Sequence, residues 1–364
     1  MTLDGITGNT AVVKALRDMA RSGRIPHAMM FYENDGCGAL DIVLAFLSEV
    51  FRDEHKVGRM IHPDVHYIYP VASGSKVKEK TENLRAELFL GYWRDLMAAN
   101  PFSLESEVSD AFGVEGKQTV INNAEAKEVL GTVYLTSVEG GYKAVVVYLP
   151  EKMNATAANR LLKAVEEPPE KTLFLMVTHA PEKVLQTISS RCQSFRILPY
   201  SKEEIVKVLV ERFSKSEEEA MAAAQMARGS VGEAVSFLSD RAGHAAMMDI
   251  FRRLMDALAS RDLPSALPIG DELAALGSRE KQKAFCIFAG ECLRKIFLIQ
   301  QNLTLIAGIA PDEEPFLRTV ASRCRKTFPR IALAGLDRAR MLIDRNVNQK
   351  ILFCDLVGRL YLSF

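Results

Sequence analysis

"MNATAANRLLKAVEEPPEKTLFLMVTHAPEKVLQTISSRCQSFRIL", residues 153–198, holds one helix and two strands in a short span. Asn154 has the side chain of a helix N-cap, and a helical pattern runs from it through Val165. Pro168-Pro169 stops that helix, because the residue before a proline is pushed out of the helical region. Thr172–Val177 then reads as a buried strand and Phe195–Leu198 as another. Just upstream, Ala144–Leu149 is a continuous apolar, β-branched run, the pattern of a strand buried on both faces. Strands separated by helices predict a parallel sheet with helices on both sides.

The same alternation extends toward the N-terminus. Residues 11–22 are amphipathic, Met29–Tyr32 reads as a strand, and Asp41–Phe51 as a helix with an apolar inner face. Val65–Tyr69 is a further strand. Residues 73–117 are polar and irregular around a helix near Glu82–Ala98. Gln118–Ile121 reads as extended and Ala124–Tyr134 as helical. After Pro199 the strands stop. Glu203–Phe213, capped by Ser201, is followed by helices at Glu217–Ala227 and Val231–Leu238. From about Gly243 the pattern is helical to Phe364, with breaks at Gly270, Gly277, Pro311 and Pro329. The expected division is an α/β domain over 1–199, a small helical domain over 200–242 and a larger helical domain over 243–364.

A chain of 364 residues with 48% hydrophobic and 25% charged residues has the composition of an ordinary globular protein. Lys plus Arg balance Asp plus Glu at 46 each, so no global charge draws it to nucleic acid or to a membrane, and any such contact needs a local patch. Met1–Asp4 begins neither a signal nor a transit peptide, and the apolar runs are too short to span a bilayer. The cysteines at 37, 192, 286, 292, 324 and 354 form no Cys-x-x-Cys pair, so neither a zinc module nor a disulfide framework is readable. A cytoplasmic protein with free thiols and no membrane contact is the expectation.

The strand Met29–Tyr32 leads through Gly36 and Gly38 into a helix, the setting of a phosphate-binding loop. Such a loop ends in Gly-Lys-Ser or Gly-Lys-Thr: the lysine serves the terminal phosphates and the hydroxyl serves magnesium. Here Ala39 and Leu40 stand at those two positions, Glu33 occupies the first glycine position, and Asp35 adds a second carboxylate. At the end of the strand Ala144–Val147, where magnesium binding needs Asp-Glu, the chain has Tyr148-Leu149. Two separate losses predict no ATP hydrolysis, no tightly bound nucleotide or other cofactor, and no metal, with weak nucleotide binding as the alternative. By itself a glycine pair before a helix is also an ordinary turn.

The opening segment resembles the clamp-loader ATPase family, a branch of AAA+ proteins. The family pattern N-x-x-x-N-x-L-L-K-x-x-E-E-P-P, sensor strand, Ser-Arg-Cys is matched by Asn154–Pro169, Leu173–Thr178 and Ser190-Arg191-Cys192. Ile25-Pro26-His27-Ala28, His62-Pro63-Asp64 and "VINNAEAKEVL" (120–130) agree, and "NVNQKILFCDL" (346–356) is similar to the end of the family's collar helices. The likeness covers essentially the whole chain and is sharp within about residues 1–200. It implies an AAA+ sheet domain, a helical lid and an all-helical collar. Gly229-Ser230-Val231-Gly232 resembles the family's Gly-Ser-x-Arg, with Gly232 in place of the arginine. That is a third loss from one site. Residues 51–65 lack the cysteines of the zinc module found in part of the family.

The resemblance implies a non-catalytic subunit of a DNA polymerase III clamp loader. It would assemble with gamma/tau-type motor subunits and a delta-type subunit, and help load the sliding clamp on primed DNA through the complex. It implies that Arg191, between Ser190 and Cys192, serves as an arginine finger for ATP held by a neighbour. An arginine suits that role because it is permanently charged and forks onto phosphate oxygens. The plain alternative is a surface arginine in a helix-end ion pair. Ser190 reads as a local cap and Cys192 as a small buried group. Thr178 stands where the family has its sensor, and without a catalytic site beside it reads as a relic. Glu166 and Glu167 point about 100° apart on a helix and make no acid/base pair. His62 and Asp64 lack a third ligand. Other readings are a stand-alone AAA+-like interaction protein, a weak ATPase, or a cysteine enzyme using Cys37 with His27 or His62; Glu33 and Asp35 oppose the last.

Overall fold

The computed structural model describes residues 2–364 apart from 81, 115, 116, 310–312 and 346. Pro311 and Asn346, singled out above, lie outside the described residues. Two compact units are present, Met1–Val235 and Ser236–Phe364.

The first unit is built on five strands: β1 (Ala28–Tyr32), β2 (Val65–Ile68), β3 (Lys143–Tyr148), β4 (Thr172–Thr178) and β5 (Gln193–Arg196). All pairings are parallel, in the order β2-β3-β4-β1-β5. Every residue of β3 and β4 is buried, as their unbroken apolar sequences require. One face of the sheet is covered by α1 (Thr10–Ser22) and α2 (Ala39–Phe51), with Leu16, Phe46, Leu175 and Val177 in one cluster. The short α3 (Glu54–Gly58) follows, and α4 (Leu90–Ala99) and α5 (Glu105–Phe112) extend the same core through Trp93 and Phe112. The other face is covered by α6 (Asn123–Val133) and α7 (Ala155–Glu166), with Val129 and Leu161 packed on Val145 and Phe174. Asn154 caps α7 by accepting the Ala157 amide at 2.8 Å.

The expected strands are present with shifted ends. Leu149, read as strand, leaves β3 with a positive φ of 57°, and β5 begins two residues earlier than Phe195. Gln118–Ile121 is no strand. Val120 and Ile121 form single bridges to Val71 and Met153, because neither neighbour continues the ladder. The stretch near Glu82–Ala98 is a 3₁₀ turn at Ala86–Phe89 followed by α4, and α5 is additional.

After α8 (Gln186–Ser189), the helices α9 (Lys202–Phe213), α10 (Glu217–Met226) and α11 (Val231–Ser239) follow β5. Ser201 and Ser216 each begin a capping box, with Glu204 and Glu219 as reciprocal acceptors. The second unit is all-helical: α12 (Arg241–Ala259), α13 (Leu263–Ala274), α14 (Arg279–Gln300), α15 (Glu314–Arg323), α16 (Phe328–Asp344) and α17 (Gln349–Ser363). Its core joins Phe251, Phe285, Phe328, Phe353 and Leu360. Among the described residues, no helix is long and apolar enough to cross a membrane, and all six cysteines are free thiols.

Candidate functional site

Gly36 and Gly38 adopt positive φ values of 77° and 83° between β1 and α2, a turn only glycine makes without strain. The turn is closed from three directions. Phe102, from the segment joining α4 to α5, lies over it; a β-carbon on Gly38 would stand 2.5 Å from its ring. Ser230 at the start of α11 donates its hydroxyl to the Asp35 carbonyl at 2.8 Å, and the Gly232 amide donates to the Gly36 carbonyl at 3.1 Å. The Cys37 thiol points at the Gly229 carbonyl, 3.4 Å away. The space left among Glu33, Gly36, Gly38, Phe102 and Tyr148 is about 10 Å³, no more than one water molecule needs.

The N-terminus of α2 is already occupied by a side chain of the protein itself. Glu33 Oε2 accepts the Ala39 amide at 2.6 Å, so a carboxylate of the chain itself sits where the helix dipole favours negative charge. Burial raises the Glu33 and Asp35 pKa values; His179 opposes the rise in both. Burial works against charge on His179, but Glu33 and Asp35 outweigh it and raise its pKa. Its Nε2 lies 3.6 Å from Glu33 and 3.7 Å from Asp35, distances of ion pairing rather than of hydrogen bonds. Asp35 in turn accepts the Glu105 amide of α5.

Ala39 and Leu40 are buried and lie against apolar neighbours, and Tyr148 and Leu149 are buried with them in the same core. Thr178 is the last residue of β4, wholly buried, and donates to Glu151 Oε2 at 2.8 Å. Glu151 Oε1 accepts the His179 and Ala180 amides at 2.9 and 3.2 Å. Asp41 of α2 is 1% exposed and is held by the Arg212 fork from α9 at 2.5 and 3.0 Å. The Arg212 guanidinium also stands over the Phe102 ring, 5.1 Å from its centroid.

Ser190, Arg191 and Cys192 lie apart from this turn, just after α8. Arg191 is exposed. Its Nη2 pairs with Glu166 at 2.6 Å and its Nη1 donates to the Thr187 carbonyl at 2.8 Å. Ser190 is exposed at the C-terminal cap of α8 and directs its hydroxyl to the Thr187 carbonyl. Cys192 is half-buried against the Ile188 carbonyl, and burial pushes its thiol up to about 11. Cys37 is also inert as a nucleophile: burial first, then Glu33 and Asp35, push it up to about 12.

His62 and Asp64 do not share a ligand site. His62 Nδ1 accepts the Asp64 amide at 3.2 Å, and the Asp64 carboxylate accepts the Val138 and Glu139 amides. Asp53, His62 and Glu139 do converge within 4.8 Å of one another. The Lys56 ammonium already serves the two carboxylates there, 3.3 Å from Asp53 and 2.6 Å from Glu139.

The sequence reading missed Phe102, His179, Glu151 and the Asp41–Arg212 pair. Glu33 marks a lost glycine in the sequence, yet its position six residues before Ala39 lets it reach the helix start. Phe102 lies in a segment without periodicity, so nothing local signalled where it packs.

A parallel sheet ordered β2-β3-β4-β1-β5, with helices on both faces and with α9 and the start of α11 packed at the β1–α2 turn, defines an AAA+ type fold. Residues 95–201 match the family described as DNA polymerase III, delta subunit. The chain is 43% identical over 68 residues to DNA polymerase III subunit delta' of Pseudomonas aeruginosa, covering 19% of this chain and 21% of that one. It is 26% identical over 213 residues to the delta' subunit of Bacillus subtilis, covering 55% and 51%. The chain thus spans about a fifth and about half the length of these two relatives. A solved gamma subunit-related protein of Thermotoga maritima aligns over 96% of this chain and 99% of its own, with TM-score 0.42 and 16% identity. The chain is thus similar over part of its length to the delta-prime subunits of bacterial DNA polymerase III.

Proposed function

We propose that this chain is a non-catalytic, delta-prime-like subunit of a DNA polymerase III clamp loader. One observation carries the reading. The turn that would hold nucleotide is filled by the chain's own Glu33 and Phe102, leaving about 10 Å³, while Arg191 stands exposed at another place. An arginine in the family's Ser-Arg-Cys position, in a chain with no room for nucleotide of its own, has a neighbour's nucleotide as its natural target.

The mechanism we propose is electrostatic. ATP sits on a gamma-type subunit, and Arg191 enters that site from outside. Its planar fork stabilises charge building on the transferring phosphoryl group, an effect worth roughly 10³–10⁵ in rate in other phosphoryl-transfer systems. In the isolated chain the guanidinium is held by Glu166 and the Thr187 carbonyl. That pair is exposed at 40% and 37% of its side chains, so breaking it costs about 0–1 kcal/mol. A phosphate competes with it easily. Ser190 and Cys192 fix the local turn, residues 1–242 act as a rigid body of sheet domain and lid, and 243–364 serve as the collar.

The test is reconstitution with a gamma-type and a delta-type subunit, followed by clamp- and DNA-stimulated ATPase measurement. Arg191→Ala should leave assembly intact and lower the rate partially, since one site of several faces this subunit. Arg191→Lys should rescue poorly, because a point charge lacks the fork. Unchanged rates in the Ala variant would leave Arg191 as an ordinary member of an ion pair with Glu166.

A further inference from the structure

We infer that the groove between α16 and α17 is a docking site for an acidic, amphipathic helix presented by a neighbouring subunit. This deepens the reading of residues 243–364 as the assembly element and rests on it.

The two helices pack through Leu336, Ala339 and Ile343 against Leu352, Phe353 and Leu356. Outside that seam they leave an open groove of about 560 Å³. Its floor and walls are aliphatic: Ile331, Gly335, Leu356, Leu360 and Leu362. Ile331 is 48% and Leu362 75% exposed, a large apolar cost in water unless covered. Gly335 deepens the middle of the groove, since a β-carbon there would meet nothing nearer than Leu356 at 3.4 Å. A row of large side chains from an α-helix fits such a trough.

Charge selects the partner. Residues 323–364 contain nine Lys or Arg and three Asp or Glu, in a chain whose totals balance at 46 each. Arg325 and Arg338 line the groove. Neither forms an ion pair with another described residue, whereas Arg359 is paired with Asp355 at 2.7 Å. A helix with carboxylates flanking its apolar stripe would satisfy both arginines as it covers the leucines. A second copy of this chain would bring the same basic surface against itself. A nucleic-acid strand would need aromatic rings to stack on, and the lining has none.

The experiment uses the full chain and the reconstituted gamma-type and delta-type subunits, with affinity read by analytical ultracentrifugation across a salt series. Ile331→Asp with Leu362→Asp should weaken assembly at least tenfold. Both positions are exposed, so the fold should persist, checked by the unchanged thermal transition of the second unit. Arg325→Glu with Arg338→Glu should weaken assembly and flatten its salt dependence. Wild-type affinity in both variants would overturn the groove assignment while leaving the functional reading standing. Binding of a single-stranded oligonucleotide that the arginine variants abolish, with assembly unchanged, would also overturn it. If the wild-type chain fails to assemble at all, the functional reading fails and the groove proposal falls with it.

Discussion

Replacing Arg212 with alanine tests whether α9 is locked to the sheet domain. Asp41 is 1% exposed, and the two Arg212 nitrogens at 2.5 and 3.0 Å are its charge partner from α9. The Arg212 side chain is itself 29% exposed, so most of the fork lies out of water. Removing it strands a buried carboxylate, which costs about 3–5 kcal/mol. The lost stacking on Phe102 adds roughly 0.5–1 kcal/mol. Together these shift the unfolding equilibrium by roughly 10²–10⁴. Asp41→Ala alone should cost less, since the freed guanidinium can turn to solvent. Adding Asp41→Ala to Arg212→Ala should recover most of the loss. Trp93, the chain's single tryptophan, is buried in the first unit, so its fluorescence in urea reports on that unit alone. Hydrogen exchange at the Gly232 amide, bonded to Gly36, reports whether α11 lifts off first. A cost below about 1 kcal/mol with unchanged Gly232 protection would refute the lock.

Three further outcomes are expected. Burial pushes Glu125 up to about 7, so in the folded protein it keeps a proton that the unfolded chain releases near 4.5. Its stabilisation is full below about pH 4.5 and is lost as pH rises through 7, on the order of 3 kcal/mol. Glu125→Gln keeps an acceptor for the Ala86 amide and should remove that slope in urea midpoints measured between pH 5 and 8. Calorimetric titration of the chain with Mg-ATP should show no micromolar binding, and the pure protein no turnover. Gly232→Arg, which puts back the lid arginine of the family, should destabilise by about 1–3 kcal/mol without creating ATP binding, because its β-carbon collides with the Phe102 carbonyl oxygen.

The sheet was legible because its strands announce themselves. Ala144–Leu149 and Thr172–Val177 are too apolar to sit anywhere but between two helical layers, and Asn154 and Ser201 mark helix starts by their side chains. Strand ends were less so: Leu149 has the sequence of a strand residue but turns away at φ 57°. Gln118–Ile121 has strand composition, yet pairing is a tertiary fact and only single bridges form. The turn's losses at Ala39, Leu40 and Gly232 could be read against a motif. What replaced them could not, because Phe102 and Arg212 reach the turn from about 60 and 170 residues away, and no local pattern encodes such contacts.

Closure of the turn changes what lid and sheet domain can do. In a protein that binds nucleotide there, the amides of the helix start and the lid contacts are satisfied by the ligand, so the lid position follows ligand occupancy. Here the same groups are satisfied internally: Glu33 takes the Ala39 amide, Gly36 takes the Gly232 amide, and Asp41 takes Arg212. A ligand that binds the folded state adds stability in proportion to its occupancy, and one with no room to enter adds none. The position of α9–α11 on the sheet domain is therefore expected not to change with ATP concentration, which hydrogen exchange with and without Mg-ATP would check. Arg191, on the same sheet domain, is held by an exposed ion pair with Glu166 at 2.6 Å, which costs only about 0–1 kcal/mol to release.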